Sequence, residues 1–298
     1  MCHCEVAGLG GKVHSKRKKG SQDGSAHSWP RSMRTHWPLY IFEGAELALF
    51  MISACVFTVI LFDPSIPIQN ELPGPVWRRL LMGLSMGITA VLIIHSPMGK
   101  RSGAHFNPAI TLTYFRLGKV ARPDAWLYVL SQFIGGVLGV GLSALLLGRA
   151  LASPTVMFAE TVPGKYGTGA AFAAEAFMAA LLMGVVLWTS NRPSLAPLTS
   201  YFVGILITFY VLVFAPVSGF SINPARTTAS AVFADVWTAI WLYFTAPVLG
   251  MLFAAEVYIR SQGEDRILCA KMHPDNRYEC PFLCHYPGHR RAGVKQIS

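Results

Sequence analysis

The sequence predicts an all-α membrane protein, with six transmembrane helices plus two re-entrant half-helices arranged as an inverted repeat. Three observations carry this. The 298 residues are 53% hydrophobic and only 13% charged, against roughly 25% charged in a soluble domain. Six segments are apolar over the ~20 residues a bilayer crossing needs. The phrase Asn-Pro-Ala-x-Thr stands twice, in "HFNPAITL" at 105–112 and "SINPARTT" at 221–228.

Charge placement agrees with a membrane protein. Of the 25 Lys and Arg, seven precede residue 40 and seven follow residue 259, leaving eleven for the whole middle. The net charge of +10 therefore sits mostly in two tails, where it reflects topology and anionic lipid; no nucleic-acid partner is expected. Residues 1–38 read as a disordered basic N-terminal tail, rich in Gly, Ser, Lys and His and containing "KRKK" at 16–19. No apolar signal-peptide region lies in the first 35 residues. Met33 opens "MRTHWPLYIFEGAEL", a second sensible start.

The spans fall near 39–62, 77–97, 125–149, 170–190, 197–217 and 237–259. Two shorter apolar stretches, about 107–117 and 223–233, are each half a span, and each opens on Asn-Pro-Ala. The order span, span, half-span, span therefore occurs twice, as repeats of about 39–149 and 170–259 within a domain of 39–260. Three spans per repeat turn the second upside down, so the half-helices enter from opposite faces. The 98–124 connection carries Lys100, Arg101, Arg116, Lys119 and Arg122, and 191–196 carries Arg192. The opposite connections hold little positive charge: no Lys or Arg at 63–76 and only Lys165 at 150–169. Both termini are therefore expected on the cytoplasmic side of a multi-pass protein of the cell membrane.

The Asn-Pro-Ala phrase has a local explanation. Asn is a favoured N-cap, and Pro fits the first helical position because it has no N–H to satisfy. Asn107-Pro108 and Asn223-Pro224 are thus two helix starts, and Ala109 and Ala225 are small enough to let them meet. Two positive helix ends at the midplane repel cations and protons, while the Asn amides donate to a neutral molecule with an acceptor oxygen. Irregular backbone at that depth must be buried or line a water path. Glu46 in "AEL" and Glu175 in "AEA" are expected to accept hydrogen bonds from the re-entrant loops, since an intramembrane carboxylate needs partners. His105 reads as a packed structural residue, with a pH sensor as the other possibility. Gly83, Gly87, Gly204 and the "GGVLG" at 135–139 suit close helix crossings.

"SGAHFNPAITL" and "SGFSINPART", six spans, a Glu in spans 1 and 4, "SQFIGG" at 131–136 and "APVLG" at 246–250 together resemble the aquaporin and glycerol-facilitator family over about 39–260. The resemblance implies a homotetramer with one pore per subunit, passing water and small neutral solutes and requiring no cofactor. It also implies an aromatic/arginine selectivity filter: Arg226 after the second motif, Phe220 three residues before Asn223, and Val211 in span 5. Matching "GLS" at 83–85 makes the span-2 member Met82; the longer 95–101 connection is equally compatible with a register one turn away. Strict water channels have His in span 5 and Phe in span 2, so Val211 and Met82 imply a wider, greasier pore. Thr227 and Ala231, where glycerol facilitators have Asp and Lys, and the aromatic pair Tyr243-Phe244 vote for water. Water permeation is expected, with glycerol or a similar solute open.

Residues 261–298 form a Cys/His-rich tail outside this pattern. Cys269, His273, Cys280 and Cys284 offer four soft ligands within a short stretch, a candidate structural zinc site; the alternative is a reduced tail of free thiols. Two rival functions remain. A secondary transporter would need an acid or base on the path. A metal-sensing protein with a vestigial pore would have a disrupted filter. No nucleophile–base pair or cofactor motif suggests an enzyme.

Overall fold

The computed structural model describes residues 29–72 and 74–287, all helix and connection, with no strand among them. The run 16–19 and the remainder of the tail before residue 29 lie outside the described residues, as do 288–298. Among the described residues, six helices are long and apolar enough to cross a membrane. They are α1 (Trp29–Phe62), α3 (Pro75–His95), α6 (Arg122–Leu147), α7 (Gly167–Ser190), α8 (Thr199–Ser218) and α10 (Ile240–Gln262). Between them lie the short α2 (Ile68–Glu71) and α4 (Pro97–Ser102), and the two half-length helices α5 (Pro108–Arg116) and α9 (Pro224–Ala234).

The helix bounds lie within three residues of expectation at every span but one end of the first. Helix α1 begins at Trp29, ten residues before the expected span. Polar Ser32 is buried there, and Asp124 fixes this extra stretch by accepting from Tyr40 Oη at 2.7 Å and pairing with His36 at 3.1 Å. Residues 29–38 are therefore helix, which the polar composition of the segment concealed.

The packing is twofold in pattern. Helix α1 lies along α6, α7 along α10, and α3 along α8, while half-helix α5 packs on α10 and α9 on α6. Each half-helix thus seats against a span of the other repeat. Lipid gives no hydrophobic drive between helices, so close contact relies on small residues. A Cβ added at Gly135 would stand 2.0 Å from the Gly44 carbonyl oxygen, and one at Gly250 would stand 2.2 Å from that of Ala176. These are the matching α1–α6 and α7–α10 crossings. At the α3–α8 crossing the corresponding figure for Gly87 is 2.4 Å, against Gly204.

Because backbone cannot step aside as a side chain does, Gly135→Ala should push α1 from α6 and lower the melting temperature in detergent by several degrees, a loss of about 2–4 kcal/mol. Gly184→Ala, where nothing lies within 4 Å, should leave it unchanged. Equal melting of the two variants would contradict the crossing as described.

Candidate functional site: a cavity between two half-helices

The α5 and α9 helix starts are built alike. Asn107 (φ −154°) and Asn223 (φ −146°) are extended N-caps. The Asn107 side-chain oxygen accepts from Ala109 N at 2.9 Å; that of Asn223 accepts from Ala225 N at 3.1 Å and Arg226 N at 3.3 Å. Pro108 and Pro224 stand at the first helical position, and Ala109 and Ala225 are fully buried. The two starts are also tied to one another. Asn107 Nδ2 donates to the Ile222 carbonyl at 2.8 Å, and Asn223 Nδ2 donates to the Phe106 carbonyl at 2.8 Å. An amide carries two donor hydrogens, so each Asn keeps one more beyond this reciprocal pair.

The loops before the Asn residues hold uncommon backbone. Ala104 (φ 56°) and Phe106 (φ 30°) precede Asn107, and Phe220 (φ 53°) and Ile222 (φ 47°) precede Asn223. Left-handed residues with side chains cost about 1–2 kcal/mol each, so the loops need compensating partners. In the second repeat Glu175 supplies them: its carboxylate accepts from Ser218 Oγ at 2.7 Å, Ser221 N at 2.9 Å and Ile222 N at 2.5 Å.

In the first repeat the work falls elsewhere than expected. Glu43 accepts from His105 N at 2.9 Å, Phe106 N at 2.7 Å and Gln132 Nε2 at 2.8 Å. Among the described residues Glu46 accepts only from Ser102 Oγ at 2.7 Å, its Oε2 being buried without a partner, and it reaches the loop through that hydroxyl. The register explains this. Glu43 precedes Gly44 and Glu175 precedes Ala176, the residues at the two equivalent close crossings. Tyr128 and Tyr243, which donate to the carbonyls of Ser102 and Ser218, each stand seven residues before the glycine of that crossing. Glu43 is therefore the counterpart of Glu175. Matching "AEL" to "AEA" slips by three residues, nearly one helical turn, which keeps the same face and so hides the error.

A cavity of about 430 Å³ passes the paired Asn residues. Met82, Val211, Phe220 and Arg226 all line it, Met82 in the first half of α3 and Val211 in the second half of α8, the halves away from Ile94 and Val203. Arg79 and Met86, a turn to either side of Met82 along α3, line it as well. Arg226 Nη1 is buried with no hydrogen-bond partner among the described residues. Glu160 and Met157 also border this end of the cavity; they belong to the 150–166 connection, whose irregular backbone gives no periodic signal. Glu43, Glu46 and Glu175 are fully buried and are not among the cavity-lining residues.

At the opposite end the lining includes Ile94, Leu182 and Val203, and also Met272 from the C-terminal segment. That segment is folded against the bundle. Met272 N donates to the Gly103 carbonyl at 3.0 Å and Leu283 N to that of Lys119 at 3.0 Å. Leu268 N donates to Asn191 Oδ1 at 2.6 Å. The Lys271 ammonium, fully buried, donates to the carbonyls of Lys100 at 2.7 Å, Glu279 at 3.0 Å and Tyr278 at 3.3 Å. Its charge meets the C-terminal end of α4, where a cation is favoured.

His105 is part of this docking. It is fully buried, its Nε2 lies 2.7 Å from the Ala270 carbonyl, its Nδ1 lies 3.1 Å from Thr111 Oγ1, and the Phe282 ring stacks on it at 5.3 Å. This is the packed structural role.

The four expected soft ligands do not converge. The Sγ atoms of Cys269, Cys280 and Cys284 all lie within 4.8 Å of one another, but His273 is absent from the group. Its ring instead lies tilted beside that of His95, centroids 4.7 Å apart. Burial, with His95 and Lys100 adding positive field, lowers the His273 pKa to about 4, so it is neutral through physiological pH.

Six spans, two half-helices meeting start to start, and a cavity past the junction define a membrane channel architecture. The chain belongs to the major intrinsic protein family, whose model matches residues 43–258. It is 33% identical over 187 residues to a probable NIP-type aquaporin of Nicotiana alata, covering 62% of this chain and 67% of that one. It is 30% identical over 193 residues to aquaporin Z of Photorhabdus laumondii, covering 59% and 80%. It is 32% identical over 189 residues to glycerol uptake facilitator protein-like 6 of Lactiplantibacillus plantarum, covering 59% and 82%. The fold is similar to the X-ray structure of the aquaglyceroporin from Plasmodium falciparum, with a TM-score of 0.64 at 19% identity over 76% of this chain and 97% of that one.

Proposed function

We propose that the chain is a passive channel for water and small uncharged solutes, with the cavity between the half-helices as its path. The observation that carries this is the reciprocal Asn107–Ile222 and Asn223–Phe106 pair on the cavity wall. It presents two helix N-termini and two spare amide hydrogens to whatever passes. A neutral molecule with an acceptor oxygen gains those hydrogen bonds in exchange for the ones it leaves in water. A cation or proton meets two positive dipole ends and the Arg226 guanidinium instead.

Met82, Val211, Phe220 and Arg226 form the selectivity filter in this reading. Two of the four side chains are aliphatic, and none of them is His. Such a ring admits a solute broader than water and gives its carbon edge an apolar surface. The relatives named for aquaporin and for glycerol uptake bracket that range. Glycerol entry is tested by stopped-flow light scattering on proteoliposomes: fast shrinkage followed by fast re-swelling supports the wide filter, and shrinkage without re-swelling restricts the pore to water.

Passive conduction, rather than coupled transport or catalysis, follows from where the buried acids sit. Glu43 and Glu175 are occupied with loop N–H groups and Glu46 with the Ser102 hydroxyl, and none of the three lines the path; Glu160 does line it, beside the Arg226 charge. The Lys and Arg distribution favours a cell-membrane protein with both termini, and hence the Met272 end of the cavity, facing the cytoplasm. Four copies per assembly, each with its own pore, complete this reading; cross-linking in detergent tests the number.

A further inference from the structure

The thiol trio lies where a segment with little core of its own must be held against the end of the cavity. A metal bound at about 2.3 Å by three thiolates sets its sulfurs about 3.8 Å apart in tetrahedral geometry. Cys269 Sγ and Cys280 Sγ are 3.4 Å apart, and all three sulfurs fall within 4.8 Å, so shifts of well under 1 Å would complete the site. The three ligands come from both sides of a loop. Cys269 precedes Met272, while Cys280 and Cys284 follow it, so one ion would close the loop on which Met272 stands.

Charge supports the same assignment. Lys119 and Lys271 both lie within the electrostatic reach of these sulfurs. Three thiolates around a divalent ion carry a net charge of −1, and buried charge is tolerated only when balanced. Ordinary solvent-facing cysteines would need neither the lysines nor the mutual approach.

We propose that Cys269, Cys280 and Cys284 bind one thiophilic divalent ion of the Zn²⁺ class, and that the bound ion clamps Met272 in the cavity end so that metal closes the pore. On binding, three S–H bonds break, three S–metal bonds form, and three protons leave to solvent; no oxidation state changes. A fourth position stays open for water. Release of the ion removes the cross-link that closes the 269–284 loop, leaving Met272 held by the Gly103 hydrogen bond and its neighbours alone, and its side chain, 2% exposed, can then withdraw. The closing function rests on the channel reading above; the metal site does not.

The test uses the full chain, purified and reconstituted, with Zn²⁺ and Co²⁺ as probes. Elemental analysis should find about one zinc per chain, and cobalt should give sulfur-to-metal charge-transfer absorption. Cys280→Ser should lower affinity at least tenfold. Zinc should also shield Cys269, Cys280 and Cys284 from alkylation in the unaltered protein, a readout independent of any variant's folding. No bound metal, metal retained by the triple serine variant, or a Cys269–Cys280 disulfide in the protein as isolated would overturn the site.

For the gate, chelation should raise water permeability severalfold in the unaltered protein. Met272→Ala should raise it with zinc still bound. A zinc-loaded protein whose permeability ignores chelation would overturn the closing role while leaving the site. If neither the chelated protein nor Met272→Ala conducts, the channel reading fails, and the zinc count distinguishes that from failure of the site.

Discussion

Glu175→Ala and Glu43→Ala should each destabilise the protein severely, and Glu46→Ala should do so much less. Each of the first two strips two backbone N–H groups of their acceptor, in a loop that also carries two left-handed residues with side chains. A buried donor left unsatisfied costs about 1–3 kcal/mol, so the two together reach roughly 2–6 kcal/mol. That is a large share of a total stability of about 5–15 kcal/mol. Glu46 leaves only the Ser102 hydroxyl without its acceptor, and a hydroxyl can rotate. Thermal unfolding in detergent should therefore rank Glu175→Ala and Glu43→Ala together, well below Glu46→Ala. Should Glu46→Ala prove the most damaging of the three, the register derived from Gly44 and Ala176 is incorrect.

Arg226→Val should leave the fold intact and raise proton and cation leakage. The guanidinium lines the cavity, and among the described residues its Nη1 has no hydrogen-bond partner to lose. A unit charge about 5 Å from a passing cation, at an effective dielectric of about 20, imposes a barrier of about 3 kcal/mol. Its loss corresponds to leakage on the order of 10²-fold greater. Neutral solutes should pass as fast or faster, because valine is smaller. A pH-sensitive dye inside proteoliposomes under a potassium diffusion potential reads the proton flux. Leakage unchanged from the unaltered protein would mean that the helix dipoles alone exclude protons.

Much of this architecture was legible because membranes punish exceptions. Six apolar runs had to be spans, and two half-length runs opening on Asn-Pro had to be buried helix starts. The structure has both. What the sequence hid was hidden for physical reasons. Glu43 and Glu46 share a helix face, so pattern alone could not choose between them; the choice depends on the crossings at Gly44 and Ala176. Helix α1 starts early because Asp124, far along the chain, holds His36 and Tyr40. Glu160 and Met272 reach the cavity from irregular segments, where no periodicity announces direction. His273 had suitable chemistry and spacing for the cysteines, but its ring went to His95. Spacing constrains which ligands can meet, and tertiary contacts decide which do.

The most direct test of the channel itself is water flux and proton flux in the same proteoliposomes, with chelator present so that the tail cannot hold the pore closed. On a sucrose gradient, vesicles carrying the protein should shrink many-fold faster than empty ones, while their internal pH stays constant. Shrinkage no faster than empty vesicles, both for the chelated protein and for Met272→Ala, would contradict a conducting path between the two half-helices.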